Sequence, residues 1–302
     1  MKFLEKVSKL TTRTMLKRKL SKPSSTTPQE SEVAAKTSRP ETDSPGPPDK
    51  SRYFSSPQSP DFAQQFINIQ LDLNAALKPL QFKPPVAYVY NPVEYAFKPN
   101  ETYVKKYCQG PKKLLFVGMN PGPFGMVQTG VPFGEIKSVR DWLEIEEEVS
   151  KPEKECPQRP VLGFACTRSE VSGDRLWNVL KKLCGSPEVF FKNCFVYNYC
   201  PLALLKSDGG NLTPSDIKDT NILEGICDQY FWKVIQLLSP EIIIGIGRYA
   251  EKRAILTLKN NDSDVKVLNL VHPSPRVKNN QNWPLKAEEF FKKEDLLKYM
   301  TN

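Results

Sequence analysis

The sequence predicts an α/β fold of three layers (α/β/α), with a central, mostly parallel four-stranded sheet covered by helices on both faces. Three observations predict it. Four short apolar runs of strand length alternate with segments that carry helical spacing. Strands that alternate with helices join by right-handed crossovers, and such crossovers make parallel pairs. The runs are mostly apolar instead of alternating regularly with polar residues, as strands buried on both faces are.

The first element starts near Asp61. Phe62, Phe66, Ile69, Leu73, Ala76 and Leu77 recur at steps of three to four, which predicts an amphipathic helix that ends before Pro79. The four strands follow at Leu114 to Gly118, Cys194 to Asn198, Ile242 to Gly247 and Val267 to His272. Helical patterns fall at Val139 to Glu148, Arg175 to Leu183, Pro214 to Leu238, Arg248 to Leu258 and Leu285 to Tyr299. No internal repeat is visible.

Ahead of this region lies a different kind of chain. Residues 1–60 are rich in Pro, Ser, Thr and Glu and cannot bury enough apolar area to offset chain entropy, so a disordered tail is expected there, with one catalytic-sized domain over 61–302. The first 22 residues are strongly basic. Lys17-Arg18-Lys19 suits a nuclear localisation signal or a nucleic-acid arm, with a mitochondrial presequence as the alternative. Over the whole chain, 43 Lys and Arg against 34 Asp and Glu give a net charge of +9, which favours polyanionic partners. No apolar stretch is long enough to span a membrane. Seven cysteines without a C-x-x-C pair, and a single histidine, point to a reduced compartment and leave little from which to build a metal site.

Ligands of open parallel sheets bind beyond the carboxyl ends of the strands. The first strand runs into Met119-Asn120-Pro121-Gly122-Pro123-Phe124-Gly125, the second into Asn198-Tyr199-Cys200-Pro201, the third into Gly245-Ile246-Gly247-Arg248 and the fourth into His272-Pro273-Ser274-Pro275-Arg276. These exits place Asn120, Asn198 and His272 around one cleft, and none of the three carries a fixed charge at neutral pH. Paired acids for glycoside hydrolysis are missing from the exits. So is a G-x-S-x-G nucleophile elbow. Gly125 to Gly130 has the glycine spacing of a phosphate loop, but Val131 stands where its lysine belongs. Gly245-x-Gly247-x-x-Ala250 imitates a dinucleotide fingerprint, yet the next strand ends in Leu270-Val271-His272 without the acid that holds the ribose. What remains is chemistry in which a leaving group departs as a delocalised anion, met by neutral hydrogen-bond donors.

Gly118-Met-Asn-Pro-Gly-Pro-Phe-Gly125, Gln128-Thr-Gly-Val-Pro-Phe-Gly-Glu135 and His272-Pro-Ser-Pro-Arg276 resemble the single-strand-selective monofunctional family of the uracil-DNA glycosylase superfamily. Tyr90-Asn-Pro-Val-Glu-Tyr95, Ser169-Glu-Val-Ser-Gly173 and Asn211-Leu-Thr-Pro214 extend the likeness from about Leu71 to Leu285. The resemblance implies that fold and the hydrolysis of the bond between a damaged base and deoxyribose, with the base extruded into a pocket.

By the same resemblance, Asn120 positions the attacking water and His272 donates to the carbonyl oxygen on which charge develops. Asn198 reads the base edge, Phe133 stacks on the ring, and Met119 and Gly122 line the pocket. Gly122 leaves room at the ring 5-position, so 5-hydroxymethyluracil and 5-formyluracil join uracil as expected substrates. The exits hold no lysine to form a Schiff base, so cleavage should stop at the abasic site. DNA contacts are expected from Ser274, Arg276, Lys278, Asn279 and Asn280 on one side and from Asp208, Gly209, Gly210 and Asn211 on the other. No cofactor and no metal are expected. The partner is uracil-containing DNA, single- or double-stranded, and the chain is expected to act as a monomer in the nucleus or, from its basic start, the mitochondrion. Two competing readings are a non-catalytic reader of uracil-containing or abasic DNA and a dinucleotide-dependent enzyme using the Gly245 turn.

Overall fold

A computed structural model describes residues 61–218 and 220–301. The tail expected over residues 1–60 lies outside them. Helix α1 (Phe62–Leu77) opens on Asp61, whose carboxylate accepts the Gln64 N–H at 2.6 Å, an N-cap that satisfies one of the unpaired donors of the first turn. There follow β1 (Tyr88–Tyr90), α2 (Pro92–Tyr95), α3 (Phe97–Tyr107), β2 (Leu114–Gly118), α4 (Met126–Thr129), α5 (Val171–Cys184), α6 (Pro187–Asn193) and β3 (Cys194–Asn198). The chain continues through β4 (Ala203–Leu205), β5 (Asn211–Leu212), α7 (Asn221–Leu238), β6 (Ile242–Ile246), α8 (Arg248–Lys259), β7 (Lys266–Leu270) and α9 (Trp283–Lys293).

Strands β3, β2, β6 and β7 pair in that order, all parallel. Each face is covered by aromatic packing. Phe66 of α1 meets Phe195 and Tyr197 of β3 edge-on, with centroids 5.3 and 5.9 Å apart, and Phe231 of α7 stacks on Tyr197. On the opposite face Phe190 of α6 and Phe291 of α9 pack on Phe116 of β2. The α/β fold of three layers is therefore present. Because all four strands are parallel, their carboxyl ends share one edge, and the pairing sets Gly118 directly beside Asn198.

Several boundaries differ from expectation. The helix expected over Val139 to Glu148 is one π-helical turn, Ser138–Trp142, followed by extended chain. Its start is set by Glu135, which accepts both the N–H and the hydroxyl of Ser138 at 2.8 Å, and Glu144 at φ +52 stops it. The helix expected from Pro214 begins only at Asn221, because Thr213 and Asp216 close a capping box around a short 3-10 turn. The last helix ends at Lys293, and Asp295 at φ +54 separates it from a 3-10 turn at Leu297–Tyr299. Strands β6 and β7 stop one and two residues early, which leaves Gly247 and His272 in the exit loops. A second, antiparallel sheet in the order β1-β4-β5 was not expected. Among the described residues no helix is long and apolar enough to cross a membrane.

Candidate active site

Beyond the carboxyl edge of the parallel sheet opens a cavity of about 490 Å³. Met119, Asn120, Gly122, Phe133, Asn198 and His272 all line it, although they come from four separate parts of the chain. Its wall also includes Asn211, Ser274 and Arg276.

His272 is fixed on every side. Its Nδ1 accepts the Ser274 backbone N–H at 3.1 Å, so a neutral ring carries its proton on Nε2. Burial pushes its pKa down to about 4. Gly247, at φ +92, lies against the imidazole: a Cβ there would be 3.2 Å from that of His272. The loop carrying the ring is pinned by the buried Asn280, whose Nδ2 donates to the carbonyls of His272 and Ser274 at 2.9 Å each. Arg175 of α5 donates to the carbonyls of Pro273 and Asn280, and the Trp283 indole to that of Val271.

The two asparagines are held by one end of each amide. Asn120 donates through Nδ2 to the Leu202 carbonyl at 3.2 Å, which leaves Oδ1 for a water or substrate. Asn198 donates through Nδ2 to the Met126 sulfur at 3.2 Å, and no donor among the described residues is recorded on its Oδ1. Both Asn198 and Phe133 press against Gly118, where a Cβ would collide with Asn198 Oδ1 and come within 2.6 Å of the phenyl ring. Only glycine lets the strand end there without displacing them. Phe133 itself has φ +53, a left-handed backbone that costs a phenylalanine of order 1 kcal/mol or more. It is held by the Trp177 indole, which donates to its carbonyl at 2.9 Å, and its ring centroid lies 6.0 Å from that of His272.

Among the lining residues that were not expected is an acid. No acid leaves the strand exits, but Glu170, the N-cap of α5, reaches into the cavity from the side. Burial, aided by Glu135, pushes its pKa up to about 7, against the opposing effect of Ser172 and the Gly173 amide. The signal was present in Ser169-Glu-Val-Ser-Gly173, but the rule that searches strand ends does not look at helix starts. Met126, Arg175, Trp177 and Trp283 were also missed, since each acts by positioning another residue.

The residues expected at DNA divide. Arg276, Lys278 and Asn279 are exposed on the loop after His272, while Ser274 and Asn211 sit at the cavity wall. Asn280 is 2% exposed and pins the loop from beneath, so its side chain does not face a bound strand. Gly209 is likewise buried, against Gln158 and Arg159, and serves the tight turn from β4 to β5. Asp208 is exposed but accepts the Gly210 N–H at 2.8 Å within that turn. The Gly245 turn is filled by packing within the chain. A Cβ on Gly245 would strike the backbone of Glu251, so this glycine serves close packing of α8 on β6, and Gly247 abuts His272.

The strand ends of this parallel α/β sheet gather two neutral amides and a neutral imidazole around one cavity. The comparisons agree. The model of the uracil DNA glycosylase superfamily matches residues 105–296. A protein of Rattus norvegicus named single-strand selective monofunctional uracil-DNA glycosylase is 50% identical over 243 residues, 80% of this chain and 87% of that protein. One of Bos taurus with the corresponding name is 49% identical over 250 residues, 82% of this chain and 91% of its own length. The crystal structure of wild-type SMUG2 from Pedobacter heparinus aligns with a TM-score of 0.58 at 19% identity over 79% of this chain and 100% of that one, a likeness of fold. The chain belongs to the uracil DNA glycosylase superfamily, in its single-strand-selective monofunctional family.

Proposed function

We propose that the chain is a monofunctional DNA glycosylase that extrudes uracil from DNA into this cavity and hydrolyses its bond to deoxyribose, leaving an abasic site. The observation that carries the reading is the Ser274 N–H on His272 Nδ1, which in a neutral ring puts the proton on Nε2 as a preplaced donor for a carbonyl oxygen. As the glycosidic bond breaks, the sugar becomes cationic and the base anionic. A donor already fixed in place lowers the barrier without reorganising. Asn120 Oδ1 holds the attacking water on the sugar side. Asn198 presents an acceptor to the ring N–H and a donor to the adjacent carbonyl. Cytosine reverses that polarity, setting acceptor against acceptor and donor against donor at the buried amide. Phe133 supplies the stacking face.

The same proposal extends to 5-hydroxymethyluracil and 5-formyluracil, although the carboxyl group of Glu170 takes the space in front of Gly122, to single- and double-stranded DNA, to a monomer, and to action in the nucleus, supported by Lys17-Arg18-Lys19. The test is release of base from a uracil-containing oligonucleotide, read as strand breaks after alkali. His272→Leu should lower the single-turnover rate by roughly 100- to 1000-fold, and Asn120→Ala should lower it strongly. DNA binding without release by the unaltered chain would contradict the proposal.

A further inference from the structure

Gly125 to Gly130 has the glycine spacing of a phosphate loop without its lysine, and the function proposed above makes no use of it. What the two glycines bracket is the single turn α4, which opens on Met126. Gly130, at φ +70, donates back to the Met126 carbonyl at 2.8 Å and closes the turn. Met126 is 2% exposed, and the space it shares with Asn74 and Asn198 amounts to about 10 Å³. A void of that size holds about one water, which leaves the thioether no room to move away from the buried amide of Asn198.

The two ends of an asparagine amide are nearly alike in size. Rotation by about 180° around the last torsion exchanges oxygen and nitrogen, and hydrogen bonds alone decide between the two arrangements. On the function proposed above, that decision sets the substrate. With Oδ1 toward the ring N–H the side chain of Asn198 reads uracil, and turned over it reads cytosine equally well. Nothing in the asparagine itself prevents the exchange.

Met126 supplies the missing constraint. Asn198 Nδ2 donates to its sulfur at 3.2 Å, and a thioether accepts weakly but has no hydrogen to give. One Nδ2 hydrogen is spent on the sulfur, the second is left for a ring carbonyl, and Oδ1 is left for the ring N–H. Turned over, the amide would set its oxygen against the sulfur lone pairs and leave a buried acceptor without a donor. We propose that Met126 is the positioning residue that makes Asn198 a reader of uracil instead of cytosine, its sulfur serving as an acceptor-only stop for the amide. The inference rests on the reading of the cavity proposed above. A bias of about tenfold between the two arrangements keeps roughly a tenth of the molecules in the cytosine-reading form, and loss of the stop raises that share to about half.

The test exchanges the sulfur for a methylene of the same shape. Protein made with norleucine at its five methionines is set beside protein made with selenomethionine, whose selenium also accepts and does not donate. Release from oligonucleotides carrying uracil or cytosine is measured at enzyme excess and read as the ratio of the two rates within each protein, so that a general loss of activity cancels. The norleucine protein should release cytosine about five times faster and uracil about half as fast, a tenfold rise in the ratio. The selenomethionine protein should keep the ratio of the unaltered chain, and Met126→Leu should raise it as norleucine does. A packing role predicts no change with norleucine, because that side chain fills the same space. An unchanged ratio in the norleucine protein, with uracil still released, would overturn the role of the sulfur and leave the proposed function standing. A rise with norleucine but none in a Met126→Leu variant that still releases uracil would move the effect to another methionine and overturn it equally. No release of uracil by the unaltered chain would instead overturn the underlying reading, and this inference with it.

Discussion

Two of the loops that line the cavity differ in how they are held. In the wall over residues 119–130, the part facing the cavity is half-buried and everything from Gly125 onward is buried, tied down by Asn120 to Leu202 and by Met126 to Asn198. The loop over residues 272–282 is instead split in two. Its root, from His272 to Ser274, is pinned by Asn280, Arg175 and Trp283, while Pro275 to Asn279 are all exposed. The change falls at Ser274, whose N–H fixes the imidazole and whose hydroxyl accepts the Arg276 N–H at 3.2 Å. Transition-state stabilisation needs donors that do not move, whereas holding a charged strand needs long side chains free to reach it. On the function proposed above, one short loop would meet both needs by keeping them on opposite sides of a serine.

If that division is right, damage to the root and damage to the tip will look different. Within this loop, the largest effect beyond loss of His272 itself should come from Asn280→Ala. It removes both carbonyl contacts of the loop root, so it should lower kcat by about 10- to 100-fold, with little change in the salt dependence of DNA binding. A variant that altered only DNA affinity would place Asn280 with the tip. Arg276→Ala should do the reverse: weaken DNA binding several-fold at low salt, reduce the slope of log affinity against log salt by about 1, and leave the single-turnover rate near that of the unaltered chain. Equal salt slopes would remove Arg276 from the phosphate contacts.

The smallest effect concerns stability. Glu170 is raised to about 7, so its contribution to stability falls as pH climbs from about 4.5 to 7. His272 is depressed to about 4, so its contribution grows as pH climbs from about 4 to 6.5. The two slopes oppose each other, and the net change they leave between about pH 4.5 and 6.5 should be on the order of 1 kcal/mol or less. Glu170→Gln should unmask the histidine, so that Tm rises with pH across that window more steeply than in the unaltered chain.

How far the sequence could be read follows from the same physics. β2 and β3 match their predicted residues, because a strand buried on both faces must be apolar at every position. Strands β1, β4 and β5, of three, three and two residues, are too short to show any period. Helix α3 carries Pro99 in its first turn and α6 is only seven residues long, so neither reads as a helix. Asn120, Asn198 and His272 were legible because strand ends in a parallel sheet converge by topology. Glu170 was not, since it arrives from a helix start. Asn280 sits in a stretch whose composition reads as exposed loop, and only the fold shows that it is buried.

The chain has a single histidine, so its ring nitrogens can be observed without overlap. Nitrogen-15 NMR of the histidine-labelled protein, followed from about pH 5 to 8, reads both the charge and the tautomer of His272 directly. The account predicts one neutral ring with its proton on Nε2 and no titration over that range. An imidazolium that loses its proton near 6.5, or a neutral ring protonated on Nδ1, would contradict it.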